Sequence, residues 1–468
     1  MLFNSLHFLL FLPVVVGLYY LMPQRFRWML IFVASCYFYM AFVPQYILIL
    51  FFIIIIDYFS AIAIENTQGK KRKIYLVLSL LSNIGLLAFF KYFNFLNDNL
   101  SSVFDVFGGH FNPVNLDIIL PIGLSFHTFQ SMSYTIEVYR GRQKAERHLG
   151  YFSNYVLFFP QMVAGPIERY DGLGHELKEK HRPLYENFSD GFRLILFGLF
   201  VKMTVADNIA PYVNQVYNNP GLFSSMEVLM AVFLFSFQIY ADFYGYSTIA
   251  LGSARLLGVR IMDNFKTPYL SSSVSEFWNR WHISLSTWFR DYLYIPLGGN
   301  RVRLPRWSFN IMVVFMVSGL WHGASWTFVV WGALHGLMLL TERYFSRLTG
   351  FKAANASAPL KFILIVKTFV VCSFIWIFFR AESFDNAKQI FSALFRDQNL
   401  VISADQLWIP IFFTGLMIFF DVLLYNKRFD RRLDTMATPI RWGFYTVILF
   451  CLLALSGTQK FAFIYFQF

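Results

Sequence analysis

Apolar residues come in long blocks separated by short polar stretches. The blocks fall near 5–22, 28–43, 45–64, 74–96, 118–139, 188–213 and 226–250, then near 307–321, 325–345, 360–379, 409–425 and 441–458. An apolar run of about 18 residues or more reaches across the hydrocarbon core of a bilayer. The pattern therefore predicts an all-α polytopic membrane protein with about 11–12 transmembrane helices. Two apolar stretches do not read as simple spans. Residues 151–168 contain Phe-Phe-Pro-Gln-Met-Val-Ala-Gly-Pro-Ile, where two prolines and a glycine break any helix. A re-entrant or interfacial segment is expected there, since irregular backbone at that depth must be buried in protein or line a cavity. The second stretch is 275–300. Residues 380–408 are mixed in charge and predict an external loop with a short helix.

Loop charge orients the spans. Arg25 and Arg27 follow the first block, Lys70 to Lys73 the third, and Arg140, Arg142, Lys144 and Arg147 the fifth, while the turns at 44, 97–117 and 214–225 carry no Lys or Arg. By the positive-inside rule the basic loops are cytoplasmic and the N-terminus is outside. Continuing the count puts Lys427, Arg428, Arg431 and Arg432 inside and the tail at 459–468 outside. The whole chain, 1–468, is expected to form one membrane-embedded domain, with 275–336 as its chemical centre. No internal repeat is evident, which counts against inverted-repeat transporter folds.

Composition agrees. Hydrophobic residues make up 57% of the 468 residues and charged ones only 14%, against about 25% charged in soluble domains. The mean hydropathy is +0.50. The net charge of +12 resides in the loops between apolar blocks, which excludes a nucleic-acid partner and leaves the bilayer as the surrounding partner. Cys36, Cys372 and Cys451 all lie in apolar runs, so neither a disulfide framework nor a metal site is expected. The first block lacks a basic flank and a small-residue cleavage site and reads as a retained helix.

The candidate chemistry gathers in 275–336. Read as one helix, 276–292 places Trp278, Trp281, Leu285, Trp288 and Tyr292 on an aromatic stripe and Asn279, His282, Ser286 and Arg290 on a polar stripe beside it. Such a helix either anchors at an interface or lines a wet cleft. Arg290, Asp291 and the breakers Pro296, Gly298 and Gly299 then suggest a polar floor leading into the membrane. Downstream, Ser-Gly-Leu-Trp-His-Gly sets His322 in an apolar segment. An ionisable ring there is a functional candidate by default; the plainer reading is a histidine bonded to a neighbouring helix. Gly319 and Gly323, and Gly332 and Gly336, carry the small-xxx-small spacing that lets membrane helices approach closely. His335 is expected to be structural, and His127 is ambiguous. His148, His175 and His181 sit in polar stretches, and His7 and His110 have no supporting context. Among other charges in apolar blocks, Glu137, Lys202 and Asp207 lie near helix ends and can snorkel or pair. Asp242, in Gln-Ile-Tyr-Ala-Asp-Phe-Tyr-Gly-Tyr-Ser-Thr, is expected to line a cavity.

At these residues the chain resembles the membrane-bound O-acyltransferase family, in its bacterial alginate O-acetyltransferase branch. The resemblance covers essentially the whole chain. It is most specific at Phe277–Asn300 and is supported by Leu-Trp-His-Gly at Leu320–Gly323, by Phe159–Arg169, by Trp376–Phe384 and by the tail Phe463–Phe468. It implies a ring of tilted helices around a central tunnel, with His322 at the family's essential histidine and His282 at its supporting one. Tyr465 matches a tail tyrosine proposed to relay the acyl group on the outer side. Asn279, Arg290, Asp291, Trp321 and Asp242 are candidates for the tunnel or donor site. Tyr244 and Thr248 replace the Ser and Asp usual in the Asp242 motif, which puts any role of those two positions in doubt.

The resemblance further implies a bacterial inner-membrane enzyme that holds no cofactor and takes an acetyl group from cytosolic acetyl-coenzyme A. Arg280, Arg290, Arg301, Arg303 and Arg306 form a candidate electrostatic mouth for the donor's phosphates. The chain has no Gly-x-Ser-x-Gly elbow, so final transfer to a polysaccharide hydroxyl is assigned to an extracytoplasmic serine hydrolase-type acetyltransferase as partner. Two other readings are D-alanyl transfer from a carrier protein toward teichoic acid and ion-coupled transport.

Overall fold

Helices form wherever the apolar blocks lie. The computed structural model describes residues 1–109, 111, 114–117, 120–163, 165–396, 404–456, 461 and 463–466, and contains no strand among them. His110 and Phe468 lie outside the described residues. The helices Pro44–Asn66, Gly69–Val106, Tyr185–Asn218, Ser225–Leu256 and Ala358–Arg380 are long and apolar enough to cross a membrane, and shorter apolar helices cover Leu6–Leu21, Leu407–Leu423 and Thr438–Ala454. The remaining predicted blocks are helices at Gln24–Met40, Leu124–Tyr139, Leu304–His322 and Trp326–Thr349. The chain is an all-α membrane protein.

One compact unit comprises Met1–Phe192 with Ala250–Met262. Its Leu124–Tyr139 helix buries Ser125, His127, Thr128, Gln130, Ser131, Ser133 and Thr135. Neighbouring helices meet several of them, and Thr128 and Ser133 bond back to carbonyls of their own helix, as buried polar groups require. Ser131 and Asn83 both donate to Asp57, the latter at 2.8 Å, and Ser79 donates to Thr135 at 2.9 Å. His127 Nδ1 lies 2.9 Å from the Val156 carbonyl, which gives that ring a structural role. The proline-broken stretch behaves as its composition dictates. A helix at Leu149–Leu157 stops at Phe158, and residues 158–163 and 165–168 continue as buried irregular chain. Phe159 N–H donates to Ser35 Oγ at 3.1 Å, and Glu168 accepts from Met262 N–H at 2.6 Å, so polar groups of this stretch find partners inside the protein.

The other unit comprises Arg193–Ile249 with Asp263–Phe468 and holds all the candidate site residues. The Leu304–His322 and Trp326–Thr349 helices form a tight hairpin. A Cβ on Gly319 would lie 2.1 Å from the Phe328 carbonyl oxygen, and one on Gly332 would lie 2.1 Å from that of Phe315. Only glycine allows the two backbones this close, as the spacing predicted. Ser325 caps the second helix by accepting from Thr327 N–H at 3.3 Å. The expected short helix between 380 and 408 is Phe384–Leu394. Residues 397–403 lie outside the described set.

The structure departs from expectation at 276–292, which is not one helix. It runs as Val274–Arg280, breaks, and resumes as Ile283–Phe289 with a π-helical turn at Arg290–Tyr294. The break falls on His282, whose φ of 43° is left-handed. For a non-glycine residue that conformation costs roughly 1–2 kcal/mol. The irregular segment 264–267 offsets it. Asn264 accepts from Ile283 N–H through its carbonyl at 3.0 Å and from Ser284 Oγ through its side chain at 2.6 Å, while Lys266 N–H donates to Arg280 O at 2.9 Å.

Candidate active site

Because the chain turns at His282, the polar stripe expected of a single helix splits in two. Asn279, Ser286 and Arg290 line a cavity of about 550 Å³, together with Trp278, Tyr294 and Trp307 among others. His282 points elsewhere and is fully buried at 0% exposure. Its ring lies 4.8 Å from Phe243, 6.3 Å from Trp321 and 6.4 Å from Tyr465, centroid to centroid. A charged imidazolium there would be penalised heavily, so the neutral ring is the form this setting favours. Strained, left-handed backbone of this kind clusters at functional sites.

His322 ends the Leu304–His322 helix. Its ring is walled by aromatic groups: Trp321 at 5.0 Å, Trp331 at 5.1 Å, Phe379 at 5.3 Å and Tyr465 at 5.6 Å. His322 and His282 thus face one tyrosine ring. The Tyr465 hydroxyl is buried and has no hydrogen-bond partner among the described residues. An imidazole beside a buried phenol is an arrangement capable of proton transfer, since imidazole is the usual side chain for general acid–base work near neutral pH.

His335 lies on the second helix of the hairpin. It accepts a hydrogen bond from Trp278 Nε1 at 3.3 Å and stacks 6.2 Å from Phe277, a structural position in the aromatic packing. Trp321 lies against both catalytic candidates. Asp291 pairs with Arg290 at 2.8 Å. Asp242 lines a separate, small pocket with Lys202, Asp207 and Arg380. Its carboxylate pairs with Lys202 at 2.6 Å and accepts from Ile464 N–H at 2.7 Å.

Arg280 also departs from expectation. It reaches Glu276, the Lys266 carbonyl, Thr267, Asn426 and Tyr425, so it stitches the break instead of facing a ligand. Glu276, outside the spans, is held below the usual carboxylate range. Burial would raise it, but hydrogen bonds from Ser272 and the Arg280 guanidinium prevail. Arg290, Arg301, Arg303 and Arg306 are exposed, as an anion-attracting mouth requires.

Sequence reasoning missed the aromatic wall of Phe243, Trp331 and Phe379, whose residues are scattered along the chain and look like ordinary core. It also missed the Lys202–Asp242 pair. The signal available was that both were charges inside apolar blocks, and such charges seek each other. Among the described residues no group of acids, histidines and cysteines could hold a metal ion.

Comparison with known proteins concerns the chain as a whole. The family model described as MBOAT, membrane-bound O-acyltransferase family, matches residues 145–380. The chain is 38% identical over 403 residues to a probable alginate O-acetylase of Azotobacter vinelandii, covering 84% of this chain and 78% of that protein. It is 34% identical to a peptidoglycan O-acetyltransferase of Helicobacter pylori, over 77% of this chain and 72% of that one. A teichoic acid D-alanyltransferase of Bacillus subtilis is 29% identical over 51% of this chain and 62% of its own length.

Proposed function

The chain belongs to the membrane-bound O-acyltransferase family and is an O-acyltransferase, and from that premise we propose that it moves acetyl groups from acetyl-coenzyme A to a cell-surface polysaccharide by way of Tyr465. The observation that carries this reading is the 5.6 Å approach of the Tyr465 ring to His322, with the phenol buried. Acetyl transfer is favoured over D-alanyl transfer because the acetyl-transferring relatives align over 77% or more of the chain and the D-alanyl relative over about half.

In this reading the thioester enters through the cavity lined by Asn279 and Arg290. Its volume of about 550 Å³ is within the usual range of roughly 300–1,000 Å³ for ligand sites. Arg290, exposed on the cavity wall, attracts the phosphates. Ser318, one turn before His322, lies on the cavity wall, so the acyl end can reach the histidine from that side. His322 removes the Tyr465 proton as the phenolic oxygen attacks the thioester carbonyl. The C–S bond breaks, the thiolate takes the proton from the imidazolium, and free coenzyme A leaves an acetyl ester on Tyr465. His282, whose ring lies 6.4 Å from that of Tyr465, supports the step as a neutral group that orients the phenol. Positioned proton transfer of this kind typically contributes about 10²–10⁴-fold. With the tail on the outer face of the bacterial inner membrane, as loop charge indicates, the ester is then available to an extracytoplasmic serine hydrolase-type acetyltransferase. Alginate and peptidoglycan, the polymers named for the relatives, are the classes of acceptor to test.

The test is His322→Ala in the full-length protein. It is expected to abolish acetyl transfer while membrane insertion and thermal stability persist. Retained transfer overturns the assignment.

A further inference from the structure

Three charges lie deep in the unit that holds the site: Lys202, Asp207 and Asp242 are 1%, 5% and 3% exposed. Lys202 Nζ is 2.6 Å from Asp207 Oδ1 and 2.6 Å from Asp242 Oδ1. One acid suffices to neutralise a buried lysine, and a second buried carboxylate is expensive unless something else uses it. Here the backbone that carries the tyrosine does. Ile464 N–H donates to Asp242 Oδ2 at 2.7 Å, and Lys202 Nζ donates to the Phe461 carbonyl at 3.3 Å. The acid takes a donor from the segment and the ammonium supplies one to its acceptor, so the same ion pair satisfies both polarities of one stretch of chain.

The surroundings bring these groups together. Lys202 sits in a π-helical turn, Phe200–Ala206, and Asp207 follows directly. Such turns are frequent at functional sites. Gly198 and Gly245 let this turn close against the Asp242 helix: a Cβ on Gly245 would lie 2.8 Å from Gly198 O and 2.9 Å from Lys202 N. Phe463 is gripped by Tyr246 at 4.6 Å and Phe243 at 5.6 Å, and Phe243 also touches Tyr465 at 4.5 Å.

We propose that Lys202, Asp207 and Asp242 form a charged clamp that seats the chain at Phe461 and Phe463–Tyr465 and thereby fixes Tyr465 against His322. They are positioning residues. The Ile464 bond is immediately before the tyrosine, so it sets the register of the ring. The role of the clamp in acyl transfer rests on the reading of Tyr465 as acceptor; the seating of the segment does not.

The experiment uses purified full-length protein with acetyl-coenzyme A as probe and two readouts: hydrogen exchange of the 461–466 peptide, and acetylation of Tyr465 by peptide mass spectrometry. Asp242→Ala is expected to speed exchange of that peptide by about tenfold or more, the effect of losing a hydrogen bond to a charged group. Tyr465 acetylation is expected to fall at least as far, with exchange in the Ser225–Leu256 helix unchanged. Asp242→Asn keeps an acceptor for Ile464 and leaves Lys202 its Asp207 partner, so it should fall between and decides the matter if the alanine variant does not fold. Tyr465→Phe should keep full protection of the segment. Unchanged exchange at 461–466 in both Asp242 variants overturns the clamp. A protected segment in wild type that Asp242→Ala releases, with no acetyl on Tyr465 in any variant, upholds the seating and overturns only the acceptor reading.

Discussion

Gly319→Ala tests whether the hairpin places His322. The added Cβ would sit 2.1 Å from the Phe328 carbonyl oxygen and 2.9 Å from its carbonyl carbon. The obstacle is backbone, which cannot swing aside as a side chain can. Reaching ordinary van der Waals contact near 3.4 Å means that the two helices part by roughly 1.3 Å, a shift that close-packed interiors resist. Overpacking of this kind costs about 1–3 kcal/mol. His322 is three residues further along the same helix, so much of the displacement reaches its ring. A misplacement of about 1 Å at a reacting group lowers turnover by around 10²-fold. The assay is release of free thiol from acetyl-coenzyme A alongside acetylation of the acceptor, with Tm measured on the same preparation. Gly443→Ala is the control. It adds the same methyl where nothing lies within 4 Å, and alanine is favoured over glycine in a helix by about 1 kcal/mol. Full activity and an unchanged Tm in Gly319→Ala would refute the argument that this close approach sets the histidine.

Arg290→Glu reverses a charge on the cavity wall and should raise KM for the donor several-fold at low salt, with kcat little changed; an effect that does not shrink at high salt would argue against an electrostatic role. Glu276→Gln bears on pH. Because the folded-state carboxyl titrates below its ordinary value, its contribution to stability is present above about pH 4.5 and is lost as pH falls through the lower folded value. The variant should therefore be less stable than wild type at neutral pH and should converge with it on acidification, as followed by thermal unfolding. Trp278→Phe leaves the buried His335 Nδ1 without its donor, for which about 1–3 kcal/mol of destabilisation is expected; an unchanged Tm would show that the bond is dispensable.

The helices were legible because a span needs a long apolar run and nothing else in a chain does. The Gly319/Gly332 contact was legible for a similar reason, since close approach of helices leaves a spacing of small residues. His322 stood out as an ionisable ring in apolar surroundings. The turn at His282 did not: a left-handed non-glycine residue has no local marker, and the hydrogen bonds that hold it come from Asn264 and Lys266, in a different segment. Asp242 was read as buried and cavity-lining, and it does line a small pocket; its partners were not legible, since Lys202 and Ile464 are 40 and 222 positions away. Arg280 was read as a ligand-facing charge because it belongs to a run of arginines that continues with Arg290, Arg301, Arg303 and Arg306. Of its partners, Glu276 is one helical turn away, but Tyr425 and Asn426 are brought to it only by the fold.

The central claim is that acetyl passes through Tyr465 under the action of His322. Peptide mass spectrometry of the C-terminal segment, after incubation of full-length protein with acetyl-coenzyme A, tests it most directly. The account predicts one acetyl group on Tyr465 in wild type, none in His322→Ala, and none in Tyr465→Phe. Full acetylation of the polymer by Tyr465→Phe, or an acetylated Tyr465 in His322→Ala, would contradict it.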